Sequence, residues 1–157
     1  MAHSTRPIHF NLLTQAARLG QAAWLFGNVY EAAVGMPQLL NLARAERPPG
    51  LVGVGSPVRY FAPIAPLAVA ASAMELEHAW RSHHDRQLVL ASAGGLGLAL
   101  GLSGYLIRTV NVSLLSASDV APADQRRLET TWHHVNRIRI AALAGSMAVS
   151  WFRDRRH

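Results

Sequence analysis

"QLVLASAGGLGLALGLSGYLI", residues 87–107, is a run of 21 residues without a charge. As a helix rising 1.5 Å per residue it covers the ~30 Å hydrocarbon core of a bilayer. Its glycines Gly94, Gly95, Gly97, Gly101 and Gly104 would each weaken a helix in water by about 1 kcal/mol relative to alanine. In lipid, small residues at the G-x-x-x-G spacing of Gly97 and Gly101 let helices approach closely, within one subunit or between two. The stretch predicts a transmembrane helix. The segment "GGLGLALG" inside it reads as packing surface rather than a phosphate cradle, being apolar and in mid-span.

Outward from this helix the chain holds three weaker apolar segments. Residues 18–41 carry Glu31 in their middle. Residues 60–80 hold an uncharged run from 60 to 74, with prolines at 63 and 66 that mark a helix start or a kink. Residues 138–152, "IRIAALAGSMAVSWF", are short alone but extend back into a long helix from about Pro122, a residue suited to a first helical turn. The stretch 44–58 reads as a loop from its Pro, Gly and charge content. The expectation is an all-α, four-transmembrane-helix bundle within one domain, residues 1–157, with spans at about 18–41, 60–80, 87–109 and 133–153. A soluble four-helix bundle accounts for three of these segments, since runs of 10–14 apolar residues are common in soluble cores. It accounts poorly for 87–107.

Composition agrees with a membrane setting. Half of the 157 residues are hydrophobic and 15% are charged, against about 25% charged in soluble domains. All fifteen basic residues are arginine, and the formal charge is +6. The arginines fall in short groups between apolar runs, as in membrane-protein loops, with no basic stripe interleaved with aromatics. This excludes nucleic acid as the expected partner and leaves the bilayer. With no cysteine there is no disulfide, thiol nucleophile or thiolate metal site. The start, "MAHSTRPIHF", lacks the pattern of a cleaved signal peptide. No G-x-x-x-x-G-K-[ST] or G-x-S-x-G motif is present.

Four spans put both termini on one side, A. Arg6, Arg81, Arg86 and the tail "RDRRH" lie there. Arg44, Arg47, Arg59, Arg126 and Arg127 lie on side B, with Arg108, Arg137 and Arg139 at helix ends. The count is nearly balanced, and the tail tips it toward cytoplasmic termini in a bacterial-type membrane.

The topology gathers polar residues near side B. Asn28 and Glu31 share a face of the first helix, since residues three apart are neighbours. The third helix ends on Gly101, Tyr105, Arg108 and Asn111. The fourth opens with "TWHHVNRIRI", residues 131–140, whose stripe is read as Glu129, His133, Asn136, Arg137 and Ile140. An ionisable residue inside a span is costly and marks a functional site by default. Glu31 is the clearest, with Arg108 or Arg137 as its expected partner. The competing reading is a purely structural ion pair with snorkelling arginines.

Metal sites were weighed as well. Glu75 and His78 have the Glu-x-x-His spacing of di-iron bundles, which need two such motifs and two further acids. These two residues are read as a solvated helix end, too far from His133 to share an ion. Glu31 and His133 with a further ligand form an alternative site for copper, iron or zinc. A metal-free site is preferred, because adjacent His133 and His134 point in different directions on a helix.

The chain resembles the small integral-membrane family that contains the anthrone oxygenases of aromatic polyketide pathways. The likeness rests on "YLIRTVNVSLL" (105–115), "WHHVNRIRI" (132–140) and "FGNVYEAAVGMPQLL" (26–40). The matching positions are Asn111, Trp132, Asn136, Arg139 and the Tyr30–Glu31 pair. The resemblance implies oxidation of an activated apolar small molecule by dioxygen. His133 or Glu31 would be the base, and Arg137 or Arg108 would stabilise the oxyanion. Asn28, Asn111, Asn136 and Tyr105 would position the substrate, and Trp24, Phe26 and Trp132 would line it. No cofactor is favoured; copper or iron in a membrane oxidase or cyclase of secondary metabolism is the alternative. A non-catalytic membrane partner or small-molecule carrier, alone or as a homo-oligomer, is a further class.

Overall fold

Four long helices in the computed structural model pack into an up-down-up-down bundle. The structure describes residues 8–39, 57–82, 85–113 and 121–156. The expected 44–58 loop falls largely outside them. Helix α1 is Ile8–Ala33, α2 is Pro57–Arg81, α3 is Arg86–Leu106 and α4 is Pro122–Arg155. No strand occurs among the described residues. α1 packs most closely on α2, and α3 on α4; α1 also meets α4, and α2 meets α3 more sparsely. The helices therefore form a ring in the order α1, α2, α3, α4.

Local chemistry sets the helix ends. Gly35 turns the chain after α1 at φ 62°, a conformation glycine adopts without penalty. The Asp85 side chain accepts the Gln87 N–H at 3.0 Å and caps α3. Pro122 occupies the first turn of α4, where its missing N–H costs nothing. Pro63 and Pro66 lie inside α2 rather than at its start. Beyond Leu106 the third helix widens into a π-helical turn, Ile107–Asn111.

The core follows one spacing on all four helices. On α4 the buried residues are Trp132, Asn136, Arg139, Leu143, Ser146, Ser150 and Arg153, alternating steps of four and three. The same steps appear in Ala17, Gln21, Trp24, Asn28 and Glu31 of α1, and in Ala68, Ser72, Glu75 and Ala79 of α2. They recur in Val89, Ser92, Leu96 and Ala99 of α3. This 3.5-residue repeat is the signature of left-handed bundle packing. The stripe expected on the fourth helix was wrongly phased: Arg137 is exposed and His133 half-buried, while Arg139 is inside.

Small residues set the closest approaches. A Cβ on Gly20 would stand 2.8 Å from the Ala68 Cα, and one on Gly95 2.9 Å from the Ala142 carbonyl oxygen. Gly95 thus serves packing within the bundle. Gly94, Gly97, Gly101 and Gly104 have open space above them.

The surface is unusually apolar and the interior unusually polar. Leu19, Phe26, Leu67, Met74, Leu90 and Trp151 are exposed, Leu19 and Leu67 at 71%. Gln21, Asn28, Glu31, Ser72, Glu75, Arg139 and Arg153 are buried. One helical stretch among the described residues, Arg86–Asn111, is long and apolar enough to cross a membrane by length and composition.

Candidate functional site

Two buried ion pairs link the helices. Arg139 Nη2 donates to Glu31 Oε2 at 3.1 Å, joining α4 to α1. Arg153 donates to Glu75, joining α4 to α2. Fourteen residues of α4 separate the two arginines, or ~21 Å along the axis. Between them lies an apolar cluster of Trp24, Leu96, Ala99 and Leu143.

The Arg139 guanidinium is fixed from several sides. Its Nε and Nη2 donate to Asn136 Oδ1 at 3.0 and 2.6 Å. Nη1 donates to Ser103 Oγ at 3.4 Å, while that hydroxyl donates to the Ala99 carbonyl. Asn136 Nδ2 in turn donates to the Asn28 carbonyl at 3.0 Å. These bonds engage four of arginine's five N–H groups, leaving one on Nη1.

Glu31 and Arg139 open onto a cavity of about 310 Å³. Its floor is Trp24 and Glu31 of α1 with Trp132 and Arg139 of α4. Phe61, Ala62, Ala65 and Pro66 of α2 form one wall, and Leu100, Ser103, Gly104, Ile107 and Asn111 of α3 the other. The lining is mainly apolar with a few convergent polar groups, the usual make-up of a small-molecule site. Asn111 reaches it through the π-helical turn. Such turns insert a residue into a helix and occur often at functional sites. The Asn111 Oδ1 is buried with no hydrogen-bond partner among the described residues, as are both side-chain polar atoms of Asn28 behind the ion pair. Buried polar atoms are rarely left unmatched.

The expected residues divide as follows. Glu31, Trp24, Trp132 and Asn111 line the cavity. Asn28 and Asn136 are fully buried just behind it. Arg108 and Arg137 are exposed, and the cation on Glu31 is Arg139 instead. Arg137 and Arg139 are two positions apart, about 200° around a helix, so only one can face inward. Tyr105 is 46% exposed and Phe26 67% exposed. Phe26 stacks on Tyr30 on the outer face. Tyr105 lies instead on a separate groove with Thr109, Asp124, Arg127 and Thr131. His133 meets Gln38 at 3.3 Å and the edge of Trp132, outside the cavity lining. No group of three His, Cys, Asp or Glu suited to a metal occurs among the described residues. The Glu31 and His133 alternative finds no third ligand of these types there.

Four participants were missed. Ser103 and Phe61 carry no signal of their own, though Ser103 continues the buried spacing of α3. Arg153 was read as part of a basic tail, and Glu75 as a solvated helix end. Both are buried, Glu75 at 4% exposure and Arg153 at 1%. Asp154 bridges Arg153 to Arg18 of α1, and Gln21 donates to Ser72 at 2.7 Å nearby.

No protein-family model matches the sequence, and no curated protein or solved structure matches it either.

Proposed function

We propose that the chain is a four-spanning membrane protein that binds an apolar small molecule beside the Glu31–Arg139 pair and oxidises it with dioxygen. The observation that carries this reading is a buried ion pair opening onto a cavity walled mainly by apolar side chains.

The membrane setting is supported by where exposed charges stop. Between Arg59 and Glu77 of α2, the one charge is the buried Glu75; between Arg137 and Arg155 of α4, charges are Arg139, Arg153 and Asp154, and the two arginines are buried. Each interval spans 18 residues, or ~27 Å. On α3 the interval from Arg86 to Arg108 has no charge at all and spans ~33 Å. These lengths match a hydrocarbon core of ~30 Å.

The chemistry follows the family likeness. Substrates of the anthrone type carry an activated CH2 between two aromatic rings, conjugated through them to a carbonyl on the opposite side of the central ring. Glu31 is placed as the base that takes one proton from it. The resulting charge resides on the substrate oxygen, where the remaining Nη1 N–H of Arg139 meets it. Electrons of this anion pass to dioxygen, a C–O bond forms, and the peroxide takes back the proton. Loss of water then leaves a carbonyl, so one CH2 and one O2 give one C=O and one H2O. Asn111 orients the substrate, and Trp24, Phe61 and Trp132 exclude water from its ring system.

The test is dioxygen uptake by the purified protein with anthrone, measured against protein-free solution. Glu31→Gln and Arg139→Met are each expected to lower the catalysed rate by roughly 10²-fold or more. A wild-type rate equal to the protein-free rate sinks the reading. Loss of activity after chelation would move it to the metal-dependent alternative. Retained binding of anthrone without turnover would make the chain a carrier.

A further inference from the structure

The cavity has an asymmetric wall. The α1 and α4 residues that form its floor are buried: Trp24, Glu31, Trp132 and Arg139 are each at most 6% exposed. On the other two helices, Ala62, Pro66, Leu100, Gly104 and Ile107 line the same cavity and are exposed. The cavity therefore opens sideways between α2 and α3, the neighbouring helices that touch each other least.

Backbone chemistry keeps this mouth open. Pro66 has no N–H, so the Ala62 carbonyl one turn earlier lacks its helical donor. Both residues stand on the rim. Opposite them, a Cβ on Gly104 would meet nothing within 4 Å. The rim residues Ala62, Pro66, Leu100, Gly104 and Ile107 carry no polar side chain, so the approach is apolar. Its depth is also defined. Gly104 lies 5.5 residues beyond the midpoint of Arg86–Asn111, or ~8 Å along the axis, inside the ~15 Å half-thickness of the hydrocarbon core.

We propose that this mouth is a lateral portal through which a flat, membrane-dissolved molecule with one acidic O–H or C–H group reaches Arg139. The proposal rests on the four-span reading above and specifies the substrate as one that partitions into lipid. The apolar rim selects against water-soluble compounds, and the guanidinium at the back selects for a group that can carry negative charge. The carbonyl of Ala62 offers a hydrogen-bond acceptor to that group on its way in.

The absence of cysteine from these 157 residues makes the chain a ready background for the test. Ala62→Cys and Gly104→Cys place a thiol on either rim, and Leu98→Cys places one on the outer face of α3. Each variant is reconstituted in phosphatidylcholine vesicles and labelled with a bimane maleimide. All three labels are expected to be quenched by bromine-substituted acyl chains. The unlabelled thiols at 62 and 104 are expected to react at least fivefold more slowly with N-phenylmaleimide when 2-naphthol is added, and the thiol at 98 at an unchanged rate. Arg139→Met is expected to abolish that protection. A chain that does not float with vesicles overturns the membrane reading itself. A chain that floats but reacts at 62 and 104 with a charged, impermeant methanethiosulfonate, without bromolipid quenching, overturns the portal alone. Quenching with no effect of 2-naphthol would make a bulk acyl chain the occupant, and would likewise overturn the proposal.

Discussion

Glu75 and Arg153 show what a buried pair means at the scale of single residues. Both are desolvated, and Arg153 Nη1 is buried with no hydrogen-bond partner among the described residues. Removing one partner leaves the other charge uncompensated, which costs about 3–5 kcal/mol, whereas replacing both by apolar groups is often neutral. Glu75→Leu is therefore expected to destabilise the purified protein strongly, and Glu75→Leu with Arg153→Met to recover most of the loss. Thermal unfolding in detergent checks both. Asp154 retains Arg18 in the double variant. These two residues also mark where sequence reading failed. Glu31 stood out because apolar residues surround it. Glu75 lies in "MELEHAWR" and Arg153 in "WFRDRRH", where neighbouring charges disguised them. Composition of a window reports the average of all helix faces, and burial selects one face.

At the scale of elements, the four helices and most of their extents were legible, because apolar runs and prolines announce them. Their rotation was not. Arg137 and Arg139 occupy the same segment with the same chemistry, and only the repeat through Trp132, Asn136, Arg139 and Leu143 says which faces inward. A count of four-and-three steps along residues 132–153 carries that signal. The π-helical turn was not legible at all, since the sequence "IRTVN" contains nothing that demands it. Its role can be tested by deleting Thr109, an exposed residue within it. A regular helix would then turn Asn111 by ~100° about the axis and carry its amide off the cavity. Protection by 2-naphthol at Gly104→Cys is expected to fall, with vesicle flotation unchanged. Unchanged protection would show that Asn111 plays no part in binding.

At the scale of the whole molecule, polarity is inverted relative to a protein folded in water. Large apolar side chains lie on the outside along the middle of the helices, and Glu31, Glu75, Arg139 and Arg153 are held between them. Leu67 is central to the uncharged run 60–74 and 71% exposed. An arginine at such a depth costs about 2.5–3.5 kcal/mol in insertion. Leu67→Arg is expected to lower the fraction of chain recovered with floated vesicles, and Glu77→Arg, at the exposed end of α2, to leave it unchanged. Equal recovery of the two variants would place α2 outside the hydrocarbon.

The two ion pairs also impose an order on biogenesis. The acids are on α1 and α2, and both of their cations are on α4, the last of these four helices to be synthesised. Until that helix arrives, a nascent three-helix intermediate holds two carboxyl groups without the Arg139 and Arg153 that pair with them. A chain stopped before residue 139 can never satisfy either. The bundle is thus locked by its fourth helix, and an intermediate lacking that helix carries two carboxyl groups whose partners are still to be made.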